Sequence, residues 1–146
     1  MSATLSEQST KIILDTSKTV VVSATAITAQ MYKIMFSKYP HVKELFKNQP
    51  ENQYMILAEA LSLFCVNIDK VERLRPALEV IARKHVETKV KRGHYPIVGS
   101  SLIKAMEDVL GDKATIEFID AWTEAYKYLS KILIQMEDKM YKELKN

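Results

Sequence analysis

Glycine, proline and cysteine are scarce in this 146-residue sequence, with three, four and one copies respectively. Few glycines and prolines leave few positions for tight turns or strand corners, which favours helices over a sandwich or a barrel. A single cysteine excludes an internal disulfide framework and a zinc site built from several cysteines. Because Cys65 lies in an apolar run, we expect it to be a buried and unreactive thiol.

The sequence also lacks the short motifs of several common enzyme classes. Its glycines, at positions 93, 99 and 111, lie too far apart to form a phosphate-binding loop. No GxSxG elbow, HExxH pair or CxxC pair occurs, which argues against a serine-hydrolase elbow and a dedicated zinc site. A motif search alone therefore stops at an all-helical domain of open function.

Targeting signals are absent as well. The first residues lack the basic and apolar regions of a secretion signal. The longest weakly polar stretch, residues 19–31, is interrupted by serine, threonine and glutamine and is too short to cross a bilayer. We therefore expect a cytoplasmic protein with no membrane partner.

Charge is nearly balanced, with 21 Lys or Arg against 18 Asp or Glu and a net charge of +3, which does not indicate nucleic-acid binding. Residues 83–92 are the exception, because five of the ten are basic. Cations are favoured at the C-terminus of a helix, so a solvated helix end accounts for this segment. Contact with an anionic cofactor or partner is the alternative.

Apolar residues recur at helical spacing through most of the chain, and no segment alternates with period two. We predict a first helix over residues 6–22, a second ending before Pro40, a short turn over 41–46 and a polar loop to 52. Four further helices are predicted over residues 52–68, 73–89, 95–110 and 114–144. Pro76 would lie in the first turn of its helix, and Gly111 would end another. The inner face of the last helix is predicted as Phe118, Trp122, Ala125, Leu129, Ile132, Met136 and Met140.

Three histidines could carry chemistry. His41 and His94 follow turn residues, so we expect both to be exposed. His85 instead shares an apolar helix face with Leu78 and Ile81, and a buried imidazole without a partner costs about 1–3 kcal/mol. It is either a core histidine bonded to a neighbour or a ligand, and imidazole is a common axial ligand of haem iron.

Several stretches together resemble one family. They are YKIMFSKYP (32–40) leading to Phe46, Gln53 with Leu57, IARKH (81–85), HYPIVG (94–99), DAWTEAY (120–126), and Glu137 with Tyr141. These segments resemble the haem domain of flavohaemoglobins, a branch of the globins, over nearly the whole chain. The resemblance implies an all-α globin fold, in which three helices cross over three others around a haem b group.

On one side of the haem, the resemblance implies that His85 is the proximal iron ligand. Glu137 would accept a hydrogen bond from His85 Nδ1–H, and Tyr95 would hold the carboxylate or the ring in place. Lys84 would pair with a haem propionate. Without the resemblance, helix-start packing accounts for Tyr95, a surface charge for Glu137 and a solvated ammonium for Lys84.

On the other side, Tyr32 and Gln53 would donate hydrogen bonds to a dioxygen ligand. Leu57 would narrow the pocket and Phe46 would pack on the porphyrin. The loop before Gln53 is slightly shorter than the family pattern, which bears on where that amide points. Without the resemblance, these residues are also typical of an ordinary core, which is how we interpret Met31, Met35 and Phe36.

The resemblance implies reversible dioxygen binding and dioxygenation of nitric oxide to nitrate. Flavohaemoglobins carry a flavin-containing reductase after the globin. We predict one globin domain over residues 1–146 with no reductase domain, so turnover would need a separate reductase. A homodimer is a further expectation. The alternatives are a protein that captures or delivers oxygen without turnover, and a haem-free helical interaction module.

Overall fold

Six α-helices and two short 3₁₀ helices make up the computed structural model, which describes residues 5–145. The six helices are α1 (Glu7–Asp15), α2 (Ser17–Lys38), α3 (Gln53–Val66), α4 (Val71–Glu87), α5 (His94–Leu110) and α6 (Ile116–Leu144). The 3₁₀ helices are Pro40–Phe46 and Gly111–Lys113. No strand occurs in this part of the chain. The all-helical prediction is therefore confirmed. In four of the six helices, both the first and the last residue lie within two positions of the prediction.

The break between the first two helices was predicted in the wrong place. Helix α1 ends at Asp15 and α2 begins at Ser17, whereas the expected first helix continued to residue 22. At the break, the Thr16 hydroxyl donates to the Ile12 carbonyl over 2.6 Å. Such a side-chain bond competes with the helical ladder and bends the chain. No proline or glycine marks this position, and the helical spacing of apolar residues continues across it. The sequence pattern therefore gives no sign of the break.

Helix α4 also begins earlier than expected. It starts at Val71, so Pro76 lies inside the helix and not in its first turn. A proline there removes one backbone hydrogen bond. Helix α5 ends as expected at Leu110, and its C-cap residue, Gly111, adopts a φ of 56°.

Helices α2 and α6 each pack against several other helices. Helix α2 packs on α3 and α5, while α6 packs on α1, α4 and α5. Helix α3 packs mainly against α2, whereas α4 packs against α6, and the two do not pack closely on each other. The core between the helices contains large, fully buried side chains, among them Trp122, Phe118, Ile27, Met31 and Met35.

Helix α2 is long and apolar enough to cross a membrane when only its length and composition are considered. In this fold it is a central core helix. Its inner face, which contains Val20, Ala24, Ile27 and Met31, is buried.

Cys65 is buried as expected, and burial raises the pKa of its thiol to about 11, so the thiol is protonated and unreactive at neutral pH.

Glu124 ties the start of the chain to α6. Its carboxylate accepts hydrogen bonds from the Ser9 hydroxyl at 2.6 Å, the Ser6 backbone N–H at 2.7 Å and the Ser6 hydroxyl at 3.0 Å. The Ser9 hydroxyl, followed by the Ser6 N–H, lowers the pKa of Glu124. Because these bonds favour the charged form, they stabilise the folded protein above the ordinary glutamate pKa, and that contribution is lost as the pH falls through the lowered pKa.

We expect Glu124→Gln to lower the free energy of unfolding by about 1 kcal/mol at neutral pH, since it weakens charge-assisted hydrogen bonds at a partly exposed site. The difference from the parent should shrink in acid. Urea unfolding at neutral and acid pH measures both, with Glu59→Gln on the exposed face of α3 as the control. A difference that is independent of pH would contradict this account of Glu124.

Candidate functional site

Three side chains from three helices meet at one end of the α4–α6 contact. His85, near the end of α4, places Nδ1 2.9 Å from Glu137 Oε2 on α6 and 3.1 Å from the Tyr95 hydroxyl on α5. The Tyr95 hydroxyl donates to Glu137 Oε2 over 2.6 Å. The structure thus brings together the three residues that the resemblance placed behind the iron.

Burial governs the chemistry of this triad. The Glu137 side chain is 5% exposed, whereas that of His85 is 29% exposed. Burial, reinforced by Glu137, raises the pKa of Tyr95 well above its ordinary value, so the phenol keeps its proton and acts as a donor. The carboxylate of Glu137 is then the acceptor for both neighbours.

This arrangement selects one tautomer of His85. A carboxylate accepts hydrogen bonds, so Nδ1 carries the proton that it shares with Glu137. The lone pair of the neutral ring is then on Nε2. No residue of the 5–145 range hydrogen-bonds that nitrogen. His85 therefore presents a free electron pair from a ring whose other nitrogen is held in place.

Tyr126 holds Tyr95 from behind. Its hydroxyl donates to the Tyr95 carbonyl over 2.7 Å. Its ring lies directly over Gly99, where an added Cβ would come within 2.5 Å of Tyr126 Cε2. Glycine at position 99 therefore permits a contact that no larger residue allows without moving the ring. Motif reading did not identify this pair, because the contact joins two helices.

The segment after His85 is held against α6 by its backbone. Val90 N–H donates to the His85 carbonyl over 2.8 Å, and the Tyr141 hydroxyl donates to the Val90 carbonyl over 2.7 Å. Lys89 between them has a φ of 65°, a left-handed conformation that is uncommon for lysine. Helix α6 therefore holds His85 twice, at the ring through Glu137 and at the backbone through Tyr141 and Val90.

Three aromatic rings cluster where α2 meets the first 3₁₀ helix. The ring centres of Tyr32 and Phe46 are 5.3 Å apart, those of Phe36 and Phe46 5.4 Å, and those of Tyr32 and Phe36 5.6 Å. Phe36 is partly buried and belongs to this cluster. Its spacing on α2 had suggested a core residue and places it one turn from Tyr32, whereas only the fold shows that it contacts Phe46.

Tyr32 and Gln53 are neighbours with unused hydrogen-bonding capacity. Burial raises the pKa of Tyr32 to about 12, and the nearby Gln53 amide opposes that shift. The phenol is therefore a neutral donor. Gln53 Oε1 is buried and has no hydrogen-bond partner among residues 5–145. A buried amide oxygen of this kind is uncommon in a folded protein and is typical of a place where a ligand, a water or a partner belongs.

The remaining predicted residues are less closely connected. Leu57 lies one turn after Gln53 on α3 and is partly buried against the core. Lys84 is exposed and forms no ion pair within the described residues, so the structure brings it together with none of the others.

The two histidines outside the predicted site differ in exposure. His41 is exposed as expected. His94, expected to be exposed, is partly buried, and its Nδ1 accepts a hydrogen bond from Lys91 N–H over 2.9 Å.

The inner face of α6 differs from the prediction in its second half. Leu133 and Glu137 are buried there, whereas Ile132, Met136 and Met140 are only partly buried. Starting from Ala125, the buried positions recur every fourth residue. That spacing was the signal that could have placed Glu137 on the buried face without any resemblance.

The triad contains one imidazole, one carboxylate and one phenol that keeps its proton. No group of three or more His, Cys, Asp or Glu side chains that could hold a metal ion occurs in the described chain. A bare ion would need more ligands than this. Among the described residues, the site therefore offers one oriented imidazole and not a full ligand set for a bare ion.

The chain belongs to the globin family. The family model described as Globin matches residues 29–133. An uncharacterized globin-like protein from Aquifex aeolicus is 42% identical over 139 residues, and the match covers 95% of this chain and 99% of that protein. The globin fold predicted from the sequence is therefore confirmed.

Flavohemoproteins are similar over one part of their length. The flavohemoprotein of Rhodopirellula baltica is 40% identical over 95% of this chain, but the match covers 35% of its own length. The chain therefore spans about a third of such relatives.

Solved structures agree with this assignment. An engineered carbene transferase from Rhodothermus marinus, provisionally assigned as a nitric oxide dioxygenase, matches with a TM-score of 0.94 and 34% identity over 98% of this chain and all of that one. A flavohemoglobin from Malassezia yamatoensis with bound FAD and heme matches with a TM-score of 0.83 and 26% identity, over 95% of this chain and 38% of that one.

Proposed function

We propose that this protein is a haem-binding globin that binds dioxygen reversibly and converts nitric oxide to nitrate by dioxygenation. The observation that carries the proposal is the His85–Glu137–Tyr95 triad, which leaves His85 Nε2 free while its other ring nitrogen is bonded. We further propose that residues 1–146 form one globin domain in the cytoplasm and that a flavin-containing reductase supplies electrons. A homodimer is part of this proposal.

The residues present fit a haem group on two independent observations. His85 has a partner-free nitrogen on a ring oriented by a carboxylate, which is how axial histidines are held. The buried Gln53 amide has an oxygen without a partner in the described chain, and a half-turn of that amide would direct its NH₂ group toward a ligand. Haem b would be bound through His85, with Phe46 and Leu57 against its faces and Lys84 near its propionates.

The iron of a bound haem would supply the dioxygen site and the one-electron chemistry. Behind it, Glu137 makes the His85 imidazole a stronger electron donor, because a carboxylate hydrogen-bonded to Nδ1 increases the basicity of the ring. Reversible storage does not require such a donor, whereas oxygen activation benefits from it. The triad therefore favours turnover over simple storage.

On the opposite side, Tyr32 would donate a hydrogen bond to the ligand. Its raised pKa keeps it a neutral donor across the physiological range. Gln53 would add a second donor through its amide nitrogen, and Leu57 would exclude water. Hydrogen bonds to a partly charged acceptor contribute about 1.5–3 kcal/mol each.

The proposal is tested by absorption spectra of the purified protein with haem, recorded ferric, then reduced under argon, then exposed to air. We expect an intense Soret band and a long-lived spectrum with dioxygen bound. His85→Ala should abolish tight haem binding, whereas His41→Ala, which alters an exposed histidine, should not. A protein that stays colourless after haem addition would contradict the proposal and favour a haem-free interaction module.

Nitric oxide turnover needs a separate measurement. With a flavin reductase and NADH present, nitric oxide consumption should yield an equal amount of nitrate. Normal spectra without nitrate formation would favour oxygen capture or delivery without turnover.

We expect Glu137→Gln to lower the iron–histidine stretching frequency of the reduced, haem-loaded protein. The glutamine carbonyl is a weaker acceptor for His85 Nδ1–H than a carboxylate, so the imidazole becomes a poorer donor. Resonance Raman spectroscopy measures the shift, with Glu143→Gln on the exposed part of α6 as the control. An unchanged frequency would remove Glu137 from the proposed role.

A further inference from the structure

The positive charge of the chain is concentrated beside His85. Residues 83–92, which we call the cationic segment, contain five Lys or Arg and one Glu, a net charge of +4. The remaining residues contain 16 Lys or Arg and 17 Asp or Glu, a net charge of −1, so this segment alone accounts for the positive total. Such a concentration creates a local positive potential at the surface.

The charges of the segment face solvent and are mostly unpaired. Its exposed basic side chains are Arg83, Lys84, Lys89, Lys91 and Arg92. Of these five side chains, only Arg92 forms an ion pair within the described residues, with Asp138 of α6. Lys91 Nζ lies 4.2 Å from the centre of the Tyr141 ring, a contact that positions the ammonium without neutralising it.

Hydrogen bonds and an ion pair fix the backbone of the cationic segment against the rest of the fold. Its backbone is bonded to His85 and to Tyr141 through Val90, and Arg92 ties it to α6. The segment also contacts α5, since the Lys91 backbone N–H donates to His94 Nδ1 over 2.9 Å. These cations therefore keep a defined position beside the residue proposed to bind the iron.

We propose that the cationic segment is the docking surface for a flavoprotein electron donor whose own contact surface is acidic. This inference rests on the proposed function, because turnover needs an electron donor that can approach the haem from outside. Redox partners meet through small, short-lived interfaces, and opposite charges raise their rate of encounter. In each encounter an anionic flavin hydroquinone would lose one electron to become a neutral semiquinone, and the ferric protein would gain that electron and become ferrous.

Other partners fit the segment less well. It contains no exposed aromatic side chain on which a base could stack, and Glu87 lies in its middle. None of the large exposed apolar side chains of the described chain lies within it, so it lacks a group that could insert into a bilayer.

The test uses the full, haem-loaded chain and a bacterial flavodoxin, an acidic FMN protein, as the probe. Binding of oxidised flavodoxin is followed by NMR titration, and reduction by flavodoxin hydroquinone by stopped-flow absorbance under argon. The variant is Lys89→Glu with Lys91→Glu. The matched control is Lys113→Glu with Lys127→Glu, which changes net charge equally at exposed lysines outside the segment.

We expect flavodoxin to shift the amide signals of residues 83–92. At low salt the variant should be reduced about tenfold more slowly than the parent, and the difference should vanish at about 0.5 M salt. The control should keep most of the parent rate. Equal rates for parent and variant, or an equal loss in the control, would overturn the docking surface while a normal Soret band leaves the proposed function standing.

Failure of the haem proposal gives a different result. A chain without a Soret band would overturn both proposals. Binding of anionic phospholipid vesicles or duplex DNA that depends on Lys89 and Lys91, with flavodoxin rates unchanged by the double substitution, would reassign the segment to that partner and overturn the docking proposal alone.

Discussion

Replacing Tyr32 by Phe is expected to speed dioxygen dissociation from the haem-loaded protein by about tenfold to a hundredfold. The substitution removes one hydroxyl donor and keeps the ring that packs on Phe46 and Phe36. A hydrogen bond to a partly charged ligand contributes about 1.5–3 kcal/mol, and each 1.4 kcal/mol is a factor of ten in an equilibrium constant. Loss of that bond should appear mainly as faster release.

Stopped-flow displacement of dioxygen by carbon monoxide measures this rate. Tyr39→Phe is the matched control, since it removes a hydroxyl at the end of α2, outside the aromatic cluster. Nitric oxide turnover should fall with the lifetime of the dioxygen-bound protein. A Tyr32→Phe rate equal to that of the parent would show that Tyr32 does not contact the ligand, and the proposed pocket would then depend on Gln53.

A methyl group added at Gly99 is expected to destabilise the fold by about 1–3 kcal/mol, the range typical of overpacked cores. The new Cβ would come within 2.5 Å of the Tyr126 ring. That ring cannot move freely, because its hydroxyl is bonded to the Tyr95 carbonyl. Moving it would also disturb Tyr95 and therefore the hydrogen bonds around Glu137.

Urea unfolding of Gly99→Ala measures the loss, and Gly93→Ala provides a close control. A Cβ at Gly93 meets no atom within 4 Å, and the backbone there is already helical, so that variant should be as stable as the parent or slightly more so. The iron–histidine frequency of the haem-loaded Gly99→Ala protein should shift as well. If both alanine variants unfold at the same urea concentration, the Gly99–Tyr126 contact is not a constraint on the fold.

The helical class of the protein was predictable from local properties. Apolar residues repeat at helical spacing, few glycines and prolines interrupt them, and Pro40 and Gly111 mark two ends. These signals act within a few residues of one another, so they are readable without the fold. The break at Thr16 was not, because a hydroxyl bonding back to a carbonyl leaves no change in apolar spacing.

The candidate site was only partly predictable from local sequence signals. His85 stood out by itself as an imidazole on an apolar face, but the grouping of Tyr95 and Glu137 with it was implied only by the globin resemblance. Its geometry required the packing of α4, α5 and α6, which brings residues 42 and 52 positions apart in the chain within hydrogen-bond distance.

By itself, the sequence determined the helical class, the absence of several common enzyme motifs and the location of the positive charge, since each depends on residue type and on near neighbours. Only the tertiary structure decided that Glu137 is buried and shared by two donors, that Gly99 must remain small beneath Tyr126, and that Val90 links His85 to Tyr141. Those features depend on contacts between different helices, and helix packing sets such contacts by geometry that no single stretch of sequence contains.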